Sequence, residues 1–593
     1  MTLTSRSGAS ALLLFLVMGA AHAGAPAPDL AARRQQLDSL IKEQWDYTMR
    51  TNPELASMLG DKRYNDRLTD FSQAAIDADI RASADFLRRF EAIDTTGFPE
   101  QEQLNQALMV RSLRLNLDGA RFKEWEMPVL QNSGIHIDAP QLVSALAFDT
   151  VKDYDDYLAR LHALPRAFAD TTIQMQNGMH DHLMPPQFLI PKIARQCEDL
   201  AAMAPAASPF AEPLNRFPAS FSAADKARLK KEILAAIEHD VVPAYRQFAA
   251  FVKNVYLPQG RTEPGLWSLP DGAARYSYRV RSATTTDQTP EQIHQLGLAE
   301  VARIEGQMLA VAKKMGYADL KSFNAAVHAN AALHPKSRQE LLDLYTKYTD
   351  QMYAKLPQQF GVLPKAKVKI MPVEEFREEG AAGASYNQGT PDGSRPGRVM
   401  VNTGEFAKRS LIDVETTALH EGVPGHHMQI AIAQELQGLP AFRQQPNYTA
   451  YTEGWALYAE RLGEELGFYT DPYSYYGHLQ DEMLRAIRLV VDTGLHYKQW
   501  NRQQVVDFFH AHSGIEEVDV QSETDRYIVW PGQALGYKIG QLKILELRDY
   551  ARQQLGAKFD IRAFHDEVLG AGALPMDVLE ARIKAWVAAQ QRT

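Results

Sequence analysis

One short stretch of the sequence, from His420 to His427, carries three histidines and a glutamate. The signature H-E-x-x-H places two zinc-binding histidines one helical turn apart, with a glutamate beside the first as general base. Here His420 and Glu421 form such a pair, but the next histidines stand at positions 426 and 427. On a regular helix His426 would point roughly 120° away from His420 and His427 would lie about 10 Å along the axis. Since zinc holds nitrogen ligands at about 2 Å, a regular helix excludes a shared ion.

Pro424 and Gly425 predict how the helix is interrupted. Proline lacks an N–H and its ring clashes with the carbonyl four residues earlier, which belongs to His420. Glycine permits backbone angles that are closed to other residues. We therefore expect a bulge over residues 422–424 that brings His426 to the second ligand position, with His427 as the reserve candidate. The alternative is a buried helix-turn-helix whose histidines are hydrogen bonded in the core, but the combined motif favours a metal.

A catalytic zinc generally takes three protein ligands, so a third side chain is needed. Glu453 follows His420 by 33 residues (453 minus 420), which suits two antiparallel helices joined by a loop. It precedes Gly454 and Trp455 on an otherwise apolar face, where an ionised carboxylate needs a counter-charge. We expect Glu453 to be the third ligand, with Glu460, two turns further on, as a supporting carboxylate.

The remaining groups of a hydrolytic site can also be suggested from the residues. Glu421 is the candidate general base, which takes a proton from water and later passes it to the leaving amine. The oxyanion of the tetrahedral intermediate needs a donor, for which Tyr537 and His496 are candidates. Asp492, one turn before His496, could orient that histidine. The pair Arg526–Tyr527 could clamp a substrate carboxylate or backbone.

Composition is ordinary for a globular protein of this length. The 593 residues are 45% hydrophobic and 23% charged. A chain of this length exceeds the size at which a single hydrophobic core stops growing, which favours two subdomains or a large helical body. The net charge of −10 is spread along the chain, which argues against nucleic acid and anionic membranes as partners. Cys197 is the only cysteine, so an intramolecular disulfide is excluded and a packing role is expected.

The first 23 residues are typical of a signal peptide. Arg6 is followed by the apolar run 11–21, and Ala21-His22-Ala23 matches an A-x-A cleavage site. The apolar run is too short to span a bilayer. We therefore predict a periplasmic or secreted protein with no membrane contact after cleavage.

Helical spacing of apolar residues dominates from Leu30 to Val255 and again after Asn402. The segment Arg275–Val280 alternates in the manner of a strand, and Val368–Val373 and Arg398–Asn402 are predicted strands around a glycine-rich loop. The prediction is a mainly α fold with a small β element, whose edge could bind an extended peptide by adding it to the sheet.

Several motifs resemble a family of bacterial, mostly exported proteins catalogued as domain of unknown function 885. The resemblance runs through most of the mature chain and is most specific from Trp267 to Gly540. The histidine motif is the most specific of its marks. The supporting motifs are Thr284-Thr285-Thr286-Asp287, Asp392-Gly393-Ser394-Arg395-Pro396-Gly397, Glu453-Gly454-Trp455-Ala456, Asp492-Thr493-Gly494-Leu495-His496 and the run from Pro531 to Lys538.

That family in turn resembles the gluzincin peptidases, in a layout similar to thimet-type oligopeptidases and the carboxypeptidase Taq group. The resemblance implies a mainly helical, two-lobed body with a zinc ion in a deep channel beside the small β element. It implies that His420, His426 and Glu453 are ligands, Glu421 the base and Tyr537 the oxyanion donor.

Together these observations predict a signal peptide (1–23), an N-terminal helical lobe (24–265) and a catalytic zinc-binding lobe (266–593). The predicted activity is that of an exported zinc metallopeptidase on short or unfolded peptides, of the carboxypeptidase, dipeptidyl-carboxypeptidase or oligopeptidase type. Two alternatives stay open: a zinc hydrolase of a non-peptide amide or ester, and a non-catalytic periplasmic protein that binds peptide or metal. The sequence makes no prediction of oligomeric state.

Overall fold

The computed structural model describes residues 29–375, 378, 381–390, 395–445 and 448–592. The predicted signal peptide and residues 391–394 of the glycine-rich segment lie outside these ranges. Helices dominate the described residues, which confirms the predicted mainly α fold. The helices before the sheet are α1 (Leu30–Thr51), α2 (Pro53–Met58), α3 (Gln73–Glu91), α4 (Glu100–Ala120), α5 (Ile135–Ala145), α6 (Val151–His180), α7 (Ile190–Ala202), α8 (Ala223–Ala236), α9 (Val242–Phe251), α10 (Gly272–Thr284), α11 (Pro290–Lys314), α12 (Leu320–Ala329) and α13 (Arg338–Lys355).

The chain is helical again after the sheet, and these helices carry the predicted site residues. They are α14 (Val414–Glu421), α15 (His426–Glu435), α16 (Thr449–Glu465), α17 (Pro472–His496), α18 (Arg502–His512), α19 (Glu517–Val529), α20 (Leu535–Leu555), α21 (Ile561–Leu569) and α22 (Met576–Arg592). Among the described residues, none of the helices is both long and apolar enough to cross a membrane.

A three-stranded sheet lies between α13 and α14 in the chain. Its strands are β1 (Lys369–Pro372), β2 (Ala384–Asn387) and β3 (Arg398–Val401), in the order β1-β3-β2. β1 runs parallel to β3 and β2 runs antiparallel to it. The two predicted strands are therefore confirmed. β2 was expected as loop, but its alternation of half-buried and exposed residues fits a strand at the edge of a sheet.

The predicted strand Arg275–Val280 is wrong, because this segment belongs to helix α10. Its alternating residues also satisfy the helical spacing: Tyr276 and Val280 lie four residues apart and are both buried. They pack on Ile293 of α11 and Leu489 of α17 in one hydrophobic cluster. A six-residue pattern contains too little information to separate the two periods, and packing on neighbouring helices favours the helix here.

The hydrophobic core is divided into several clusters. One cluster has all its fully buried members between Val129 and Tyr256, where α6, α7 and α9 pack together. A second joins α16, α20 and α22 around the buried Trp455 and also takes Leu108 from α4. The predicted division into two lobes at residue 265 stays a prediction, but the helices that carry the motif share the second cluster.

A buried ion cluster ties together three helices beside the predicted site. Lys538 of α20 is fully buried, and its Nζ lies 2.7 Å from Glu482 Oε1 of α17 and 3.0 Å from Glu300 Oε2 of α11. The Lys538 Nζ also donates to Gln541 Oε1 over 2.7 Å. Arg303 of α11 reaches the same Glu482 oxygen at 2.8 Å. Two cations thus face two carboxylates, so the cluster is charge-balanced and holds α11, α17 and α20 in register.

The variant Lys538→Met should lower the free energy of unfolding by roughly 3–5 kcal/mol, because it leaves buried carboxylates without a full counter-charge. Urea unfolding followed by circular dichroism measures this loss. Lys584→Met is the matched control, since that side chain is half exposed and pairs with Glu580 at the surface. Its unfolding midpoint should stay close to that of the wild type. A Lys538→Met protein as stable as the control would contradict the structural role of the cluster.

Candidate metal centre

The two histidines of the motif are brought together by a break between two helices. α14 ends at Glu421 and α15 begins at His426, so the four residues 422–425 are non-helical. The interruption predicted as a bulge within one helix is therefore larger. The Val423–Pro424 peptide bond is cis, and the Gly425 N–H donates to the Leu419 carbonyl over 3.0 Å. The ring centroids of His420 and His426 are 4.8 Å apart and their planes are nearly perpendicular.

Gly425 is required by this close turn. A Cβ built on it would lie 1.9 Å from the carbonyl oxygen of His420 and 2.5 Å from that of Leu419. Both atoms belong to the backbone of the preceding helix, so no side-chain rearrangement could make room. The sequence therefore needs glycine here for the second helix to start directly against the end of the first.

Glu453 of α16 completes a group of three possible ligands. Its Oε2 atom lies 3.7 Å from His420 Nε2 and 3.5 Å from His426 Nε2, and one ligand atom from each residue lies within 4.8 Å of the others. Two atoms bound tetrahedrally at about 2.0–2.1 Å would be about 3.3 Å apart, which is a few tenths of an ångström less than the two glutamate–histidine distances. Both histidines are buried and Glu453 is half-buried. The donor set and its spacing fit a zinc ion.

His427 faces away from this group. Its Nδ1 accepts a hydrogen bond from the Tyr386 hydroxyl of β2 over 3.1 Å, and its Nε2 donates to the Ala366 carbonyl over 2.9 Å. Both ring nitrogens are therefore engaged by the segment around the sheet. Of the two histidines that the sequence left open, His426 is the one beside Glu453, and His427 attaches the motif to β2.

Glu460 supports His420 from behind. The His420 Nδ1–H donates to Glu460 Oε1 over 2.7 Å, which leaves Nε2 free to face Glu453. Metal-binding histidines commonly donate their other N–H to a carboxylate, which fixes the tautomer and the ring orientation. Glu460 is itself fully buried, and its backbone carbonyl accepts from the Tyr469 hydroxyl over 2.9 Å.

The protonation of this group follows from its carboxylates. Burial alone lowers the pKa of His420, but hydrogen bonds to Glu453 and Glu460 outweigh it and raise that pKa to about 10. Burial raises the pKa of Glu453, yet the charge of His426 and the histidine hydrogen bonds hold it well below its usual range. The free protein thus keeps a proton on His420, which a bound metal ion must displace.

Glu421 lies at the C-terminal end of α14 and is half-buried. Its negative charge also raises the pKa of the adjacent His420. Among the described residues, none is hydrogen bonded to the Glu421 carboxylate. This side chain is therefore available for a water molecule or a substrate, as the predicted base must be.

Tyr537 is positioned by a close contact between two helices. α16 and α20 run parallel: Gly536 lies against Ala450, and Gly540 lies against both Ala450 and Gly454. Counting 100° and 1.5 Å per residue from these contacts puts Glu453 and Tyr537 on the same side of the helix pair, with Tyr537 about one turn closer to the N-terminal ends. The small residues let the helix of Tyr537 approach that of Glu453.

His496 is placed differently from the predicted oxyanion donor. Its Nδ1 accepts from the Leu266 N–H over 3.0 Å and its Nε2 donates to the Tyr527 carbonyl over 2.9 Å. Burial lowers its pKa to about 3. Asp492 does not orient this ring, because it accepts from the Tyr276 hydroxyl over 2.6 Å and from the Gly532 N–H. With both nitrogens bound to backbone groups, His496 is left out of the site that we propose below.

Sequence analysis missed Arg488 of α17. Its guanidinium carbon lies 4.7 Å from the centre of the Tyr537 ring, and its Nε donates to the Tyr527 hydroxyl over 3.0 Å. Tyr527 is fully buried and its hydroxyl donates to Glu523, so it cannot clamp a substrate as suggested. The signal in the sequence was a pair of arginines, Arg485 and Arg488, about one turn apart in the otherwise apolar stretch 483–491.

The variant Glu460→Gln should bind Zn²⁺ roughly 10–100-fold more weakly than the wild type, because His420 loses the carboxylate that orients it. Competition with a chromophoric chelator measures the affinity, and circular dichroism checks the fold. Glu464→Gln, one turn further along α16, is the matched control and should keep the wild-type affinity. Equal affinities for both variants would show that Glu460 does not support a ligand.

The variant Gly540→Ala should separate α16 from α20, because its Cβ would lie 1.8 Å from the Ala450 carbonyl oxygen. We expect a loss of about 1–3 kcal/mol or more in thermal unfolding, the usual result of overpacking. Gly306→Ala in α11 is the control: its Cβ would meet open space, so the change should stabilise the helix by up to about 1 kcal/mol. A neutral Gly540→Ala would contradict the tight contact.

Comparisons with known proteins agree with this architecture. The family model described as "Bacterial protein of unknown function (DUF885)" matches residues 53–583. A solved structure of a "putative lipoprotein" from Colwellia psychrerythraea is 30% identical, covers 94% of this chain and 100% of its own, and has a TM-score of 0.89. A "putative lipoprotein of unknown function" from Shewanella oneidensis is 16% identical, covers 94% and 99%, and has a TM-score of 0.71.

Two further comparisons give weak similarity or none. A "putative oligoendopeptidase F" from Bacillus anthracis aligns at 12% identity over 86% of this chain and 96% of its own, with a TM-score of only 0.28. The search of curated proteins finds no match. The family model covers most of the sequence and the Colwellia protein matches it along nearly the whole chain, so this chain belongs to the DUF885 family of bacterial proteins.

Proposed function

We propose that this protein is an exported zinc metallopeptidase that hydrolyses short or unfolded peptides. The observation that supports it most directly is the convergence of His420 Nε2, His426 Nε2 and the Glu453 carboxylate within one ligand sphere. Two histidines and a glutamate are a common ligand set of catalytic zinc, which keeps a fourth position for water or substrate. The carboxylate of Glu421, which has no hydrogen-bond partner among the described residues, belongs to the residue directly after the first candidate ligand.

The roles of the residues follow from their positions. A zinc ion held by this group would polarise a substrate carbonyl and lower the pKa of water to about 7. Glu421 takes a proton from the attacking water and returns it to the leaving amine. The Tyr537 hydroxyl donates a hydrogen bond to the oxyanion. Glu460 keeps His420 in the tautomer that leaves Nε2 available.

An edge strand next to the motif favours a peptide as the substrate. β2 is at one edge of the sheet, and the hydrogen bond from Tyr386 to His427 attaches it to the start of α15, one residue past His426. An extended peptide can add to such an edge through main-chain hydrogen bonds, with no requirement for a particular side-chain sequence. A non-peptide ester or amide would not use this edge.

Export is proposed from the N-terminal sequence. Its basic start, apolar run and A-x-A site predict a signal peptide, and we propose a periplasmic or secreted mature protein. The solved structures from Colwellia psychrerythraea and Shewanella oneidensis are each described as a "putative lipoprotein". The dispersed negative charge supports peptides, rather than nucleic acid or membrane, as the partner.

The mature protein should contain about one zinc per chain by metal analysis, and Glu421→Gln should keep that zinc while losing roughly 10²–10⁴-fold in peptide hydrolysis. A peptide-library digest read by mass spectrometry measures the activity. The control is Glu405→Gln, an exposed carboxylate that pairs with Lys408.

Each alternative function gives a different result in this experiment. A binding protein would contain metal but would cleave nothing before or after the substitution. A hydrolase of other amides or esters would lose activity in Glu421→Gln but would leave every library peptide intact. Protein without zinc, or a Glu421→Gln variant with full activity, would contradict the proposed mechanism.

A further inference from the structure

A group of charged residues from α17 and α19 adjoins Tyr537. Arg488 is 6% exposed, and its Nη2 donates to Glu523 Oε2 of α19 over 3.0 Å. Arg526 of α19 is 24% exposed, and its Nη1 donates to Glu523 Oε1 over 3.1 Å. The two guanidiniums therefore share a single carboxylate, one at each oxygen. Burial raises the pKa of Glu523, but both arginines lower it, to about 2, so this carboxylate is ionised at neutral pH.

The cluster keeps a positive charge and unused donors. Two arginines and one ionised glutamate leave a net charge of about +1. Arg488 Nη1 and Arg526 Nε are buried and have no hydrogen-bond partner among the described residues. Gln533 accepts from Arg526 Nη2 over 3.0 Å but brings no charge. An unbalanced cation with unpaired donors is costly inside a protein, and an anionic ligand would correct both deficits.

The cluster is joined to the helix pair that carries Glu453. Arg488 covers the ring of Tyr537, and Tyr537 is on the side of the α16–α20 pair that carries Glu453. Arg526 is linked to the same side through Glu523, whose carboxylate it shares with Arg488.

The course of α17 also brings Arg488 toward Tyr537. His478, on α17, approaches Glu460 with its Nδ1 3.8 Å from the carboxylate. Arg488 follows His478 by ten residues on α17, while Glu453 precedes Glu460 by seven on α16. α17 thus runs past the metal group from Glu460 toward Tyr537.

From this placement we propose that Arg526, backed by Arg488, binds the C-terminal carboxylate of the peptide substrate. The inference rests on the proposed peptidase function and narrows it to cleavage near a free C-terminus. Since an extended peptide advances about 3.3–3.6 Å per residue, we place the scissile bond one or two residues from the C-terminus. Arg526 is the contact residue because it is the more exposed of the pair. Arg488 is a positioning residue that holds Glu523 and the Tyr537 ring.

The test uses one N-terminally blocked hexapeptide in two forms, with a free C-terminal carboxylate and with a C-terminal amide. The zinc-loaded wild type should release one or two residues from the free acid. Its kcat/KM for the amide should be lower by about tenfold or more, since a charge-assisted hydrogen bond is lost. The difference should lie mainly in KM, and mass spectrometry identifies the bond that is cleaved.

The variants separate binding of the carboxylate from a loss of fold. Arg526→Gln should raise KM for the free acid about tenfold or more, without changing KM for the amide or the zinc content. Arg526→Lys should restore part of the preference, because it keeps the charge but loses the planar fork. Arg488→Lys should weaken the preference in the same way. The matched control is Arg552→Gln, which removes an exposed arginine. This residue lies about 22 Å beyond Tyr537 along α20, so the variant should behave as the wild type.

Failure of the carboxylate site and failure of the proposed function give different results. If the wild type cleaves both peptide forms equally, or cuts internal bonds only, the carboxylate site is wrong while the peptidase function stands. If Arg526→Gln lowers kcat equally for both forms, Arg526 supports the site structurally and the proposal is also overturned. If the wild type holds no zinc and cleaves neither form, the proposed function fails and this inference fails with it.

Discussion

The site depends on the four-residue interruption between α14 and α15. An unbroken helix would point His420 and His426 in different directions, so they could not share an ion. The same turn also fixes the helix of the third candidate ligand, because the Pro424 carbonyl accepts a hydrogen bond from Trp455 Nε1 over 2.8 Å. Trp455 follows Glu453 by two residues in α16 and is fully buried. One loop therefore sets the relative positions of all three candidate ligands, and the aromatic side chain prevents the turn from moving away from α16.

The helices around this turn are held by contacts that tolerate little change. Gly540 and Gly454 let α20 and α16 approach to backbone contact, so a rotation of either helix would meet main-chain atoms. Lys538, two residues before Gly540, is fixed by carboxylates of α11 and α17. Tyr537 directly precedes Lys538 in α20 and is consequently positioned by both contacts. A side chain that acts on a developing charge needs such preorganisation, because the site must not reorganise during the reaction.

Much of the site could be predicted from the sequence, because a few residue types at short spacing define it. His420, Glu421 and Glu453 followed from ligand chemistry and from the cost of burying a lone carboxylate. The choice between His426 and His427 could not be made, since it depends on Tyr386 and Ala366, which are distant in the chain.

Other features could not be predicted for the same reason, because they depend on residues that are distant in the chain. Arg275–Val280 was predicted as a strand because a six-residue window cannot show which neighbours the segment packs against. His496 was predicted as a donor because its backbone partners, at residues 266 and 527, cannot be recognised from the local sequence. Arg488 was missed because its ring contact joins two helices. Local patterns thus indicated which residues could bind a metal or act as a base, whereas long-range packing decided how their side chains are oriented.

Charge balance differs between three ion clusters of this protein. Around Lys538 two cations face two carboxylates, so the charges balance. Around Glu453 two carboxylates meet histidines that are neutral when they bind metal, so the group lacks positive charge. Around Glu523 two arginines meet one carboxylate, so that group lacks negative charge. Buried imbalance is costly unless a ligand removes it. A zinc ion at the first site and a peptide carboxylate at the second would balance both, and they are the two charged partners that a carboxypeptidase needs.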